Sequence, residues 1–128
     1  MATWSKECYF HGVSTPAAVR EKFELLGTPD GRWMVWVLPM TKPILFMSLC
    51  WQGEVLHYEL LHHGVEDREV IVSLTPSGRR FRGVEGLVAF HRDHAGELPV
   101  RLVRNAIGRP FPKHGNPTSL VEVRNLIL

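Results

Sequence analysis

Chemistry needs ionisable or metal-binding groups at defined spacing, and this chain offers few such sets. Histidine is prominent, with 7 copies. His62 and His63 are adjacent, and His91 and His94 have the i, i+3 spacing that puts two side chains on one face of a helix. Either pair could begin a metal site. No cysteine or carboxylate set completes one, so no metal is expected. Arg79, Arg80 and Arg82 form a basic cluster. It reads as a solvated surface run, or as contacts for acidic residues or phosphate in a ligand. No Ser or Cys nucleophile has a spaced base. There is no paired acid motif and no Gly-rich phosphate loop in a nucleotide context. No enzyme activity and no cofactor are expected.

Composition sets the remaining bounds. At 128 residues the chain suits one domain. It is 45% apolar and 22% charged, with 11 Gly and 9 Pro, which describes an ordinary globular protein. No apolar run approaches the ~18 residues that a membrane span needs. The start, "MATWSKECYF", lacks the basic flank and long apolar core of a signal peptide. A net charge of +2 does not argue for nucleic acid. Cys8 and Cys50 stand alone without a CxxC pair, which fits a reduced, intracellular (cytoplasmic) protein.

The elements that must position these residues follow from periodicity. "STPAAVREKFELLG" predicts a helix, capped by Ser14 or Thr15, with Pro16 in its first turn and Gly27 as its stop. Val19, Phe23 and Leu26 make its apolar stripe. "RWMVWVL" predicts a strand that is apolar at both parities, with Trp33, Val35 and Val37 on one face and Met34, Trp36 and Leu38 on the other. Such a strand lies mid-sheet, covered on both sides. "ILFMSLCW" and "VLHYELL", joined by "QGEV", extend it into an antiparallel meander. "REVIVSL" is a further short strand. "GVEGLVAFHRDHAG" predicts a second helix with Val84, Leu87, Val88 and His91 on one stripe and Gly96 as its stop. "LPVRLV" is a last extended piece. The tail "GRPFPKHGNPTSLVEVRNLIL" begins as a Pro- and Gly-rich linker. Ser119 and Glu122 then have capping-box spacing for a short helix, packed on the domain or docking on a partner.

Four motifs now stand in order. "YFHG" from Tyr9, "DGRWMVW" from Asp30, "GEVLHYEL" from Gly53 and "FRGVEGLVAFHRDHAGEL" from Phe81 resemble "WYHG", "DGxFLVR", "GkVkHYrI" and "FxSLxeLVxyYxxhxxGL" of Src homology 2 domains. The resemblance covers about Tyr9 to Val103. It implies an α+β fold, a central antiparallel β-sheet flanked by two α-helices. It implies an N-terminal extension at 1–8, the domain at 9–104 and a tail at 105–128. It also implies a non-catalytic module that binds phosphotyrosine peptides in intracellular signalling. In the family, phosphate is held by the FLVR arginine, a basic residue early in the first helix, a polar loop, and His and Lys on the third strand. The arginine's planar fork gives a dianion two charge-assisted bonds.

This sequence departs from that pattern at nearly every phosphate contact. The FLVR arginine falls on Trp36, which resembles the few atypical members that lack it. The early helix arginine falls on Thr15 or Pro16. The loop serine falls on Leu38, followed by Pro39 and Met40, and Pro43 follows; prolines remove N–H donors. The third-strand lysine becomes Glu59, while His57 is kept. Thr41 and Lys42 remain as polar loop residues. A loss of ~4 kcal/mol from such changes is on the order of a thousandfold in affinity.

Trp36 therefore reads as apolar bulk in a disabled phosphate pocket, and His57 as a structural histidine or a relic ligand. By the resemblance, Tyr58 lies beside a bound peptide, and Val65 and Leu98 wall a hydrophobic pocket for side chains after the tyrosine. The leading expectation is an adaptor module that binds unphosphorylated peptide or protein surfaces of intracellular signalling proteins. A second is weak phosphotyrosine binding through Lys42, His57 or the Arg79–Arg82 cluster. A third is a structural unit that orients neighbouring domains.

Overall fold

Two apolar faces on one strand require two covering layers, and the tertiary structure supplies them. This computed structural model describes residues 4–112, with side chains described for 8–108. Eleven elements follow in order: β1 (Trp4–Val13), α1 (Pro16–Leu26), β2 (Arg32–Leu38), β3 (Ile44–Trp51), β4 (Glu54–Glu59), β5 (Leu61–Glu66), β6 (Glu69–Ser73), β7 (Phe81–Arg82), α2 (Gly83–Asp93), β8 (Arg104–Asn105) and β9 (Arg109–Pro112). The main sheet has the order β4-β3-β2-β1-β9, with β8 also paired to β2. A smaller sheet has the order β5-β6-β7.

The meander β2-β3-β4 is antiparallel, in the register Trp36↔Phe46 and Ser48↔His57. Its second turn carries positive φ at Gln52 (52°) and Gly53 (76°), the combination that matches the strand twist of a two-residue hairpin. The parity of β2 divides the core as expected. Trp33, Val35 and Val37 join Leu87, Val88 and Leu98 in one cluster. Met34 and Trp36 join Val19, Phe23, Cys50 and Ala106 in the other, with Leu38 and Phe46 packed against it. The two helices thus cover opposite faces, as the α+β expectation requires. α1 opens on Thr15, whose Oγ1 accepts from Ala18 N at 3.1 Å. The Arg32 guanidinium donates to the carbonyls of Leu26 and Gly27 at its other end, where a cation offsets the helix dipole.

Several expectations are corrected. The third strand stops at Glu59. Leu60 turns into the core at 1% exposure, its N–H bonds the Leu45 carbonyl at 2.8 Å, and the chain continues as β5 in the smaller sheet. Leu26 is 47% exposed, because the apolar face of α1 ends at Phe23. α2 ends at Asp93 rather than at Gly96, closed by His94 N–H on the Phe90 carbonyl. "LPVRLV" forms no strand. Leu102 N–H bonds the His91 carbonyl and Val103 N–H the Gly31 carbonyl, and pairing begins only at Arg104. The main sheet also runs past the expected domain limits at 9 and 104. β1 starts at Trp4, and β9 pairs antiparallel with it, Trp4↔Pro112 and Cys8↔Pro110. The short helix expected around Ser119 and Glu122 lies outside the described residues. No helix among the described residues is long and apolar enough to cross a membrane.

Candidate functional site

The α1-covered face of the main sheet gathers Trp36 and His57 of the expected phosphate pocket. Alternation along β2, β3 and β4 points Trp36, Phe46, Ser48 and His57 to that one face. Trp36 is fully buried. Its ring stacks on Phe46, with centroids 4.9 Å apart and planes at 14°. Val19 and Phe23 of α1 pack in the same cluster. The space beside α1 is therefore filled by an indole.

The polar edge of that indole is satisfied internally. Trp36 Nε1–H donates to Ser48 Oγ at 2.7 Å, and Ser48 Oγ lies 2.6 Å from His57 Nδ1. A serine has one proton to give. With one lone pair accepting from the indole, Oγ keeps a proton and a second lone pair for His57 Nδ1, so the bond can form with either ring tautomer. The His57 ring stands edge-on to Trp36, with centroids 5.8 Å apart. Burial lowers the His57 pKa from its ordinary value, and the charge of Arg20 lowers it further. His57 thus ends a hydrogen-bonded chain from Trp36 through Ser48, and its lowered pKa favours the neutral ring. It is not an imidazolium waiting for an anion.

The other expected pocket residues lie around this cluster or at the surface. Leu38 is half-buried and packs against the Trp36 cluster. Pro39, Thr41, Lys42 and Glu59 are exposed, while Pro43 is buried. Glu59 sits opposite Phe46 in the ladder, beside the stacked rings. Sequence reasoning missed two residues. Ser48 is a hydroxyl inside the apolar run "ILFMSLCW", and that interruption was its signal. Arg20 lies one turn into α1, beyond the position where a basic residue was sought, and its charge reaches His57.

The remaining candidates are dispersed. Arg79 lies over the Phe90 ring, 4.5 Å from its centroid. Arg82 pairs with Asp67 at 3.0 Å. Arg80 is exposed between them in sequence. All three belong to the loop and strand that lead into α2, whose buried residues pack on the opposite face of the sheet from Trp36. Tyr58 is half-buried against the α2-side core, and burial raises its phenol pKa. Val65 is 58% exposed on β5. Leu98 is 4% exposed and belongs to the core, so it offers a bound side chain almost no surface.

The histidine pairs are also apart in their bonding. His63 Nε2–H donates to Ser73 Oγ at 2.6 Å, and that hydroxyl donates to the Thr75 carbonyl. His91 is buried and bonds the Leu87 carbonyl through Nδ1 at 2.7 Å, whereas His94 is exposed beside Phe90. Among the described residues, no group of three or more His, Cys, Asp or Glu side chains could hold a metal ion.

No family model matches the chain. It is 29% identical over 106 residues to the tyrosine-protein kinase Shark of Drosophila melanogaster, covering 83% of this chain and 11% of the kinase. The chain thus spans about a tenth of that relative's length. The Src homology 2 domain of a CRK/CRKL homolog from Monosiga brevicollis superposes with a TM-score of 0.55 at 19% identity, covering 85% of this chain and 89% of that one. The chain has the Src homology 2 fold.

Proposed function

We propose that this Src homology 2 fold serves as a non-catalytic recognition module of intracellular signalling, an adaptor that reads peptide or protein surfaces without using phosphotyrosine as its anchor. One observation carries the reading: the buried, stacked and hydrogen-bonded Trp36 fills the place where a phosphate-binding arginine would reach out from β2. A dianion brought there would lose its water and meet a buried indole and a leucine where the arginine fork would be. Desolvation without compensation costs several kcal/mol. The neutral His57, already hydrogen-bonded to Ser48 through Nδ1, adds no charge.

Arg20 favours a second reading, weak phosphotyrosine binding by a rearranged set. Its charge lies near His57, and Lys42 is exposed on the loop that follows β2. The two readings separate in one titration. The purified domain is titrated with a degenerate phosphotyrosine peptide library and its unphosphorylated twin by fluorescence polarisation at physiological salt. Equal binding of both libraries is expected. Binding that requires the phosphate would overturn the first reading and direct mutagenesis to Arg20, Lys42 and the Arg79–Arg82 cluster.

A further inference from the structure

Threonine is followed directly by proline at Thr15, Thr28 and Thr75. Two of these hydroxyls are committed. Thr15 Oγ1 accepts from Ala18 N at 3.1 Å and caps α1, and Thr75 Oγ1–H donates to Glu97 Oε2 at 2.8 Å. Thr28 makes no side-chain hydrogen bond among the described residues. It lies half-buried in the irregular turn between α1 and β2, with Pro29 and Asp30 exposed after it.

Two arginines meet at that turn. Arg32 Nη1 donates to the Gly27 carbonyl at 3.3 Å and to the Leu26 carbonyl. A Cβ at Gly27 would stand 3.7 Å from the same nitrogen, so the guanidinium lies against the residue before Thr28. Arg32 Nε–H is buried and has no acceptor among the described residues. Arg104 is the direct neighbour of Arg32 across the β2–β8 ladder. Arg32 shares its parity with Met34 and Trp36, and Arg104 with Ala106, so both point to the α1 face. Like charges side by side on one face oppose each other. Among the described residues neither arginine pairs with a carboxylate. Asp30, close by in sequence, turns Oδ1 to Gln52 N–H at 2.8 Å. An anion here would relieve the repulsion and answer the buried donor.

The same turn carries the chain that returns after α2. Val103 N–H and Arg104 N–H both reach the Gly31 carbonyl, at 3.0 and 3.4 Å. A Cβ at Gly31 would come within 2.9 Å of the Arg101 carbonyl, so the two segments are in close contact. We propose that Thr28 is a phosphorylation site for a proline-directed protein kinase, and that Arg32 and Arg104 receive the phosphate and lock the 101–105 segment onto the turn. This goes beyond the recognition reading and does not depend on it. The kinase moves the γ-phosphoryl group of ATP to Thr28 Oγ1. The Oγ1–H bond and the bridging O–Pγ bond break, the Oγ1–P bond forms, the proton goes to the kinase's base and ADP leaves. The product carries a charge of about −1.5 to −2 and three strong acceptor oxygens. The end of α1 opposes it with roughly half a negative charge, which two guanidinium groups outweigh.

The test treats the purified domain with a proline-directed kinase and ATP and maps the product by mass spectrometry. Phosphate on Thr28 is expected, and a domain left unlabelled there overturns the site. In the product, phosphorus NMR follows the second ionisation, ordinarily near pKa ~6. Neighbouring cations favour the dianion, so the folded domain should titrate about one unit lower than the same chain unfolded in urea. Arg104→Gln should remove most of that shift, and Arg104→Lys, which keeps the charge, should retain most of it. Hydrogen exchange at the Val103 and Arg104 amides should slow about tenfold on phosphorylation. Equal titration in the folded and unfolded chains, or a shift that survives Arg104→Gln undiminished, would overturn the inference. Unchanged exchange at both amides would overturn the lock.

Discussion

Restoring the arginine at Trp36 tests the pocket most directly. In Trp36→Arg the change removes a fully buried indole, its stack on Phe46 and its bond to Ser48. Losing a buried Trp down to Cβ costs about 3–5 kcal/mol. The arginine stem refills part of that volume. Its guanidinium then lies unpaired among Val19, Phe23, Met34 and Phe46, which costs a further few kcal/mol unless the site opens. Ser48 can accept one of its five N–H donors. A net loss of about 3–5 kcal/mol is expected, a large fraction of the ~5–15 kcal/mol that holds a domain together. For a domain of this size that lowers Tm by on the order of 10–20 °C. Thermal unfolding followed by circular dichroism measures the loss, and fluorescence polarisation measures phosphopeptide binding. Leu38, Pro39, Pro43 and Glu59 remain in the variant, so no strong phosphate-dependent binding should appear. Micromolar phosphopeptide binding with an unchanged Tm would refute the reasoning, because it would mean that the site beside α1 is open and already built for an anion.

Three further outcomes follow from the same geometry. Ser48→Ala leaves both Trp36 Nε1 and His57 Nδ1 without their partner, and should destabilise the domain by about 2 kcal/mol in urea unfolding; a change within error would mean that the chain is dispensable. Burial lowers the pKa of His57, His11 and His91 from the ordinary 6.5. The unfolded chain then binds more protons near pH 6 than the folded one, so stability rises with pH in that range. It should be full above pH ~6.5 and fall on acidification toward pH 5.5, and a flat urea midpoint across that window would contradict the buried neutral rings. Cys50 is fully buried and its thiol is pushed up to about 11, so alkylation at pH 8 should reach it only through unfolding. Mass spectrometry of the alkylated native domain would show the opposite if Cys50 reacted as fast as a free thiol.

Much of this protein was readable from local pattern, because local pattern reports burial. Val19 and Phe23 mark the inner face of α1, and Val84, Leu87, Val88 and His91 that of α2. Thr15 could be read as a cap and "QGEV" as a turn, since both depend on neighbouring backbone geometry. The parity of "WMVW" placed Trp36 on the face opposite Trp33 without any tertiary information. Near element ends, periodicity and resemblance both failed: the stripe placed Leu26 inside and the resemblance placed Leu98 in a binding pocket. Leu26 and Leu98 are both leucines near a loop, yet one is 47% exposed and the other 4%.

Tertiary structure alone decided the long-range pairings. Ser48 meets Trp36, twelve residues before it, and His57, nine after it, only in the register that sets β2, β3 and β4 side by side. Arg79 and Glu97 share a cleft because α2 folds the two loops together, and the basic cluster that looked like one site divides into a ring contact and an ion pair. The main sheet recruits β8 and β9 from more than ninety positions beyond β1. Periodicity declares which face a residue is on. It does not declare what waits across that face, since that depends on how distant segments of chain close on one another, and loop closure leaves no mark on the order of residues.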